Sequence, residues 1–158
     1  MKKILLSPAL FLLVLAAFPQ EKRNGDIYME HPYINIVYKS VKAYLDNDIA
    51  ANTQIFSDTA GFWVSGMPKR IPIAEALKNW SRDFNFYDSI SLTKVGYPDY
   101  LAYKDMDAKT VQSWWTWKGK SKKTGEILRI PCVQFDDFNK DGKIVFESLY
   151  GDFSKMEH

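Results

Sequence analysis

The 158-residue sequence has a single cysteine, Cys132, and two histidines, His31 and His158. With one thiol the chain cannot form an internal disulfide, so packing alone must hold its core. Cys132 lies in the apolar run IPCVQF, which favours a buried, unreactive thiol, because no second histidine inside the domain could activate it. His31 precedes the first predicted helix and is interpreted as a residue of the helix start rather than a general base.

The sequence also lacks an excess of charge of one sign, with 21 basic and 19 acidic residues. Removal of Lys2 and Lys3 with a predicted signal peptide would leave 19 of each. This balance argues against nucleic acid as a partner. The one basic cluster, KGKSKK at 118–123, lies between two strand-like segments and is interpreted as a solvated hairpin tip.

The longest apolar run, Ile4 to Phe18, is shorter than the roughly 20 residues that a membrane-spanning helix needs. Two lysines precede it, and the polar segment QEKRNGD follows it, which is typical of a secretory signal peptide. We therefore predict a signal peptide over 1–19, a polar linker over 20–30 and one domain over 31–158. The mature protein is expected to be periplasmic or extracellular, with no membrane attachment after cleavage.

The remaining sequence alternates between helical and extended patterns. Apolar residues at helical spacing predict a helix from Pro32, a short helix that Asp48 caps, and a helix after Pro72. Strands are predicted near 59–66, 89–97, 100–104, 109–118, 126–138 and 143–151. This order predicts an α+β fold with the helices on one face of an antiparallel sheet.

Three segments carry a resemblance to a known family: IFSDTAGFWVSG, IAEALKNW and VQFDDFNKDGKIVFESLYGD. Over roughly residues 31–153 the chain resembles the SnoaL-like branch of the nuclear-transport-factor-2-like superfamily. The resemblance implies a cone-shaped, curved antiparallel sheet wrapped around N-terminal helices, a cystatin-like α+β fold. It also implies an apolar pocket at the open end, and a homodimer.

The segment DDFNKDGKIVFES at 136–148 has the shape of a calcium loop. Counted from Asp137, Asn139, Asp141 and Gly142 fit, but the twelfth position is Ser148 instead of the required glutamate. The flanking residues are β-branched and aromatic, so we predict a β-hairpin closed by a type I turn and a glycine bulge, and no metal site.

The register of this hairpin decides the surroundings of one carboxylate. If Phe138 pairs with Ile144, regular pairing places Phe135 opposite Glu147. Glu147 would then lie among apolar neighbours, and desolvation would raise its pKa and suit it to acid or base catalysis. In the alternative interpretation, Glu147 points outward or pairs with a lysine.

A complete catalytic constellation is not evident. Isomerases that the chain resembles use a carboxylate base, which would fall in WVSGM, where Val64, Ser65 and Gly66 carry no acid. If the protein is an enzyme, the best candidates are therefore Glu147, Asp58 and Tyr38, with Tyr38 stabilising an oxyanion. No cofactor is implied.

Tryptophans indicate a cavity more strongly than any acid indicates a reaction, since every indole N–H requires a partner. In VQSWWTWKG, strand alternation places Trp115 and Trp117 on one face and Trp114 on the other. The predicted ligand pocket consists of Tyr38, Trp63, Trp80, Trp115 and Trp117.

Three functions follow from these patterns. The favoured one is an exported SnoaL-like domain that binds a small apolar or aromatic molecule without catalysing a reaction. The first alternative is a cofactor-free isomerase, dehydratase or cyclase that uses a pocket carboxylate. The second is a dimeric interaction module without a ligand.

Overall fold

A computed structural model describes residues 24–107 and 109–157, so the predicted signal peptide lies outside the described residues. Its helices are α1 Pro32–Leu45, α2 Ile49–Ile55 and α3 Ile73–Phe86. Its strands are β1 Gly25–Tyr28, β2 Phe56–Val64, β3 Ile71–Pro72, β4 Tyr87–Lys94, β5 Asp99–Tyr103, β6 Lys109–Ser121, β7 Ile127–Phe138 and β8 Ile144–Gly151.

The first two helices begin where the sequence supplies capping groups, whereas α3 begins after Pro72 without a side-chain cap. Pro32 occupies the first turn of α1, and the Nδ1 atom of His31 accepts a hydrogen bond from the Tyr33 backbone N–H. The Asp48 side chain accepts from the Ala51 N–H and caps α2 in the same way. The interpretation of His31 as a residue of the helix start is confirmed.

The strands form one curved, unclosed sheet in the order β1-β5-β6-β7-β8-β2-β3, and β4 also pairs with β6. The long β6 strand accommodates β5 along its first half and β4 along its second half. The sheet is mixed, because β2 and β8 run parallel. All other strand pairs are antiparallel, as predicted. The parallel pair joins strands that are distant in sequence, so no hairpin imposes an antiparallel direction on it.

Most predicted elements are present with shifted ends. The predicted strand near 89–97 is β4, which begins at Tyr87 directly after α3. Residues 25–28, predicted to be linker, form β1 and pair with β5 at the edge of the sheet. Backbone hydrogen bonds hold this edge strand, whose side chains are mostly exposed, so no alternating apolar pattern marks it in the sequence.

The hairpin between β7 and β8 is confirmed, with Gly142 donating to the Asn139 carbonyl across the turn at 3.1 Å. Its register is not the predicted one. Phe138 pairs with Ile144, but Asp137 pairs with Phe146, so Val145 is an extra residue in β8. The bulge shifts all later pairs by one residue.

The core lies between the helices and the inner face of the sheet. The main cluster includes Val37, Phe56, Ala76 and Trp115, and a second cluster surrounds Trp117. Within the described residues, no helix is both long and apolar enough to cross a membrane.

Candidate functional site

A cavity of about 910 Å³ opens between the helices and the inner face of the sheet. One wall comes from α1 and α3, and the opposite wall comes from β2, β6, β7 and β8. The residues after β8, Asp152 to Glu157, contribute to its rim. Apolar side chains dominate the walls, among them Val41, Phe62 and Leu149.

Two carboxyl groups meet on the sheet wall of this cavity. The bulge in β8 places Glu147 directly opposite Asp136, and the Oδ1 atom of Asp136 has no hydrogen-bond partner among the described residues. Glu147 is 3% exposed and lines the cavity, whereas Asp136 is 0% exposed and lies behind it. Sequence alternation places Asp136 on the same face of β7 as Gln134, whose amide Nε2 donates to Asp136 Oδ2 at 2.9 Å.

The surroundings of this acid pair favour a bound proton. Burial raises the pKa of both carboxyl groups, and the charge of Asp136 raises the pKa of Glu147 further. Two ionised carboxylates offer each other only acceptors, whereas a proton on Glu147 would supply a donor for the unpartnered Oδ1 atom of Asp136. Among the described residues, ion pairs form only at the surface, between Lys42 and Asp46 and between Lys122 and Asp88, so no cation offsets the buried pair.

Cys132 lies on the same strand face, two rows from Asp136, and also lines the cavity. Burial, and then the nearby Glu147 carboxyl, raise the pKa of its thiol to about 11. The thiol is therefore protonated at neutral pH, in agreement with the sequence-based interpretation of an unreactive cysteine.

A second polar group lines the same cavity near α3. The indole N–H of Trp117 donates to the Tyr44 hydroxyl at 2.8 Å, and that hydroxyl donates to Asp83 Oδ2 at 2.9 Å. Burial raises the pKa of Asp83 to about 6, while the Tyr44 hydrogen bond opposes that shift. Burial also raises the pKa of Tyr44. Asp83 is thus mainly ionised at neutral pH.

Of the sequence-predicted site residues, Glu147, Trp80 and Trp117 line the cavity. Asp58 is exposed on β2 and does not line it. The ligand-binding and catalytic roles assigned to these residues stay predictions.

The other three predicted residues lie outside the cavity wall. Trp63 points away from it because Phe62 and Val64, its strand neighbours, face inward; its N–H donates to the Met67 carbonyl at 3.0 Å. Trp115 is packed in the main core, where the Tyr38 ring meets it edge to face, with the ring centroids 6.1 Å apart. The Tyr38 hydroxyl accepts a hydrogen bond from Lys94.

Sequence reasoning missed Asp136, Tyr44 and Asp83. Tyr44 follows Val37 and Val41 on the α1 stripe, and Asp83 follows Ala76 and Trp80 on the α3 stripe at the same spacing. The signal was therefore a polar residue on an otherwise apolar face. Asp136 was overlooked because regular pairing without the bulge placed Phe135 opposite Glu147.

No protein-family model matches the sequence, and no curated protein matches it. Solved structures do match. IdmH from Streptomyces antibioticus, a candidate polyketide cyclase, is 15% identical with a TM-score of 0.65, over 80% of this chain and 96% of that chain. A nuclear-transport-factor-2-like protein from Burkholderia thailandensis is 19% identical with a TM-score of 0.60, over 78% of this chain and 92% of that one.

A third structure, a hypothetical protein from Catenulispora acidiphila with a ketosteroid isomerase-like fold, was solved in complex with trimethylamine. It is 15% identical with a TM-score of 0.61, over 80% of this chain and 91% of that chain. These similarities establish the fold. The chain has the nuclear-transport-factor-2-like fold, and the α+β class predicted from the sequence is confirmed.

Proposed function

We propose that the protein catalyses a proton transfer, an isomerisation or a cyclisation, on a small and largely apolar molecule bound in the cavity. Glu147 is the acid and base of this reaction. The observation that carries the proposal is the buried Glu147–Asp136 pair at the wall of an apolar cavity, where burial raises the pKa of both carboxyl groups. Burying two acids without a cation is costly, and such perturbed carboxyls are typical of catalytic sites.

The proton balance of the reaction is simple. Glu147 donates its proton to one atom of the ligand, such as a carbonyl oxygen, and the acid pair becomes doubly ionised. Two neighbouring buried anions repel each other strongly, so Glu147 then takes back a proton from a carbon of the same ligand. One proton has moved within the ligand, and the pair has returned to its starting state. Gln134 orients Asp136 through both halves of this cycle.

Two further observations support this assignment. The cavity volume of about 910 Å³ lies within the range of small-molecule sites, roughly 300–1,000 Å³. IdmH, which has a similar structure, is a candidate polyketide cyclase, and cyclisation of a polyketide chain is one reaction of the proposed class.

Binding without chemistry, which the sequence favours, is the second candidate. Trp80 and Trp117 on the cavity wall support it, because aromatic faces hold apolar ligands without any acid. The two candidates differ in what they require of Glu147: catalysis requires its proton, whereas apolar binding does not.

Deuterium exchange separates the two candidates. Unsaturated ketones and aryl diketones are incubated with the purified protein in D₂O, and exchange of the carbon-bound hydrogens next to the carbonyl is followed by proton NMR. We expect catalysed exchange with at least one compound, and a loss of roughly a hundredfold or more in Glu147→Gln. Asp26→Asn, an exposed carboxyl outside the cavity, is the matched control.

Saturable binding of these ketones by the wild-type protein without any exchange would favour the binding protein. Equal exchange by the wild type and Glu147→Gln would contradict the role of Glu147.

A further inference from the structure

The Trp117–Tyr44–Asp83 group in the cavity has a fixed direction of hydrogen bonding. Tyr44 accepts from the Trp117 N–H at 2.8 Å, and it uses its single proton to donate to Asp83 Oδ2 at 2.9 Å. Trp117 is 4% exposed and packed against Tyr87 and Ile130, so its indole N–H, the first donor of the series, is held in place. The hydroxyl proton of Tyr44 is therefore committed to Asp83 and is not offered to a ligand.

Asp83 is the last member of this series of hydrogen bonds, and its carboxylate can accept a further hydrogen bond. Its Oδ2 atom has the Tyr44 hydroxyl, and Oδ1 has no hydrogen bond within residues 24–107 and 109–157. It also forms no ion pair with any cation of these residues, although Arg82 is its neighbour in α3. The group thus presents an acceptor to the cavity, and only a hydrogen-bond donor can satisfy it.

The surroundings of Asp83 favour a donor that carries apolar groups. The Tyr44 ring lies 6.2 Å from the Trp80 ring, measured between centroids, and Trp80 and Phe86 line the cavity together with Asp83. Aromatic faces beside a carboxylate bind alkyl chains, and they also attract protonated amines. A hydroxyl or an ammonium group on an apolar chain fits both requirements.

The strand register separates Trp117, the donor of this group, from the acid pair along the sheet. On β7, Ile130 pairs with Trp117 of β6, whereas Asp136 pairs with Glu147 of β8. Six residues of β7 separate these two positions, or roughly 20 Å between Cα atoms at about 3.3 Å per residue. The cavity wall between these two positions includes the apolar side chain of Leu149, which is paired with Gln134 of β7.

We propose that Asp83, oriented by Tyr44 and Trp117, is a second anchor that binds a hydroxyl or ammonium group at the far end of an elongated, mostly apolar ligand. The acceptor end of the same ligand faces Glu147. Only this second statement rests on the proposed function, whereas the anchor itself requires no reaction. The substrate class is therefore a long apolar molecule with a hydrogen-bond donor at one end and a carbonyl-type acceptor at the other.

The test is calorimetric titration at pH 7.5 with three probes of similar length: n-decylamine, n-decanol and methyl nonyl ketone. The ketone has no donor and serves as the internal control. We expect Asp83→Asn to weaken n-decylamine roughly tenfold to a hundredfold, because a charge-assisted hydrogen bond is lost. It should weaken n-decanol less and leave the ketone unchanged. Unchanged affinity for both donors would overturn the anchor.

Two more variants keep the outcome interpretable. In Asp83→Asn, the side-chain oxygen still accepts the hydrogen bond from the Tyr44 hydroxyl, so the fold should persist. Unchanged binding of the ketone by this variant would verify that the fold is intact. Tyr44→Phe removes the orienting hydroxyl and should weaken the binding of n-decylamine and n-decanol without changing the binding of the ketone.

Loss of amine binding in Glu147→Gln but not in Asp83→Asn would place the amine at the acid pair and overturn the anchor. Amine binding that depends on Asp83, without any deuterium exchange, would support the anchor and reject the proposed reaction.

Discussion

Replacement of Asp83 by asparagine should change how the stability of the protein depends on pH. Burial raises the pKa of Asp83 from 3.8 to about 6 in the folded protein. The folded state therefore holds this proton more tightly than the unfolded state does. The contribution of Asp83 to the free energy of unfolding is therefore highest below about pH 4 and is lost as the pH rises to about 6. A difference of about two units corresponds to about 3 kcal/mol, an upper limit for a group that is not fully buried.

Asparagine has no ionisable group but still accepts the Tyr44 hydrogen bond. The difference in unfolding free energy between Asp83→Asn and wild type should therefore rise with pH, by about 3 kcal/mol at most, between pH 4 and pH 7.5. Urea denaturation followed by tryptophan fluorescence at several pH values measures this difference. The Asp26→Asn variant, which removes an exposed carboxyl, is the matched control. A difference between Asp83→Asn and wild type that stays constant over this pH range would refute the reasoning.

Three further predictions concern the sheet. Glu147→Gln should unfold at a higher temperature than wild type at pH 8 and lose that advantage at pH 4, because burial and the neighbouring Asp136 oppose ionisation of Glu147; equal gains at both pH values would contradict the acid pair. Gly119→Ala should cost about 1–3 kcal/mol in urea denaturation, because the new Cβ would lie 2.5 Å from Cη2 of Trp117; wild-type stability would contradict this packing. A thiol reagent at pH 8 should label Cys132 in urea but not in the folded protein, because burial raises the pKa of its thiol to about 11; equal labelling rates would show that the thiol is accessible.

The fold could be predicted from the sequence wherever local patterns govern structure. Apolar spacing, with Pro32 and Pro72 at the helix starts, predicted α1 and α3. Asn139 and Gly142 predicted the hairpin turn. Pairings between distant segments could not be predicted in this way. The parallel contact of β2 with β8 and the edge strand β1 depend on tertiary structure, and β1 has no alternating pattern of its own.

The candidate site illustrates the same limit on a smaller scale. Glu147 was recognised as a carboxyl among apolar residues, but its partner was not, because the extra residue Val145 changes every later pair of the hairpin. Trp63 was assigned to the pocket from its residue type, and Trp115 from its residue type and the strand alternation that it shares with Trp117. The alternation of β2 turns Trp63 away from the cavity, and Trp115 is used in the core.

Carbon-13 NMR of selectively labelled glutamate side chains is the most direct test of the acid pair. Glu147→Gln identifies its signal by the loss of that signal. The proposed reaction requires that the Glu147 carboxyl is protonated at pH 7, and burial raises its pKa well above the ordinary value of 4.5. The structure also predicts that Asp136→Asn lowers that pKa, because the neighbouring charge is removed. A Glu147 signal that is already that of a carboxylate at pH 7 would contradict the proton-holding pair and, with it, the proposed reaction.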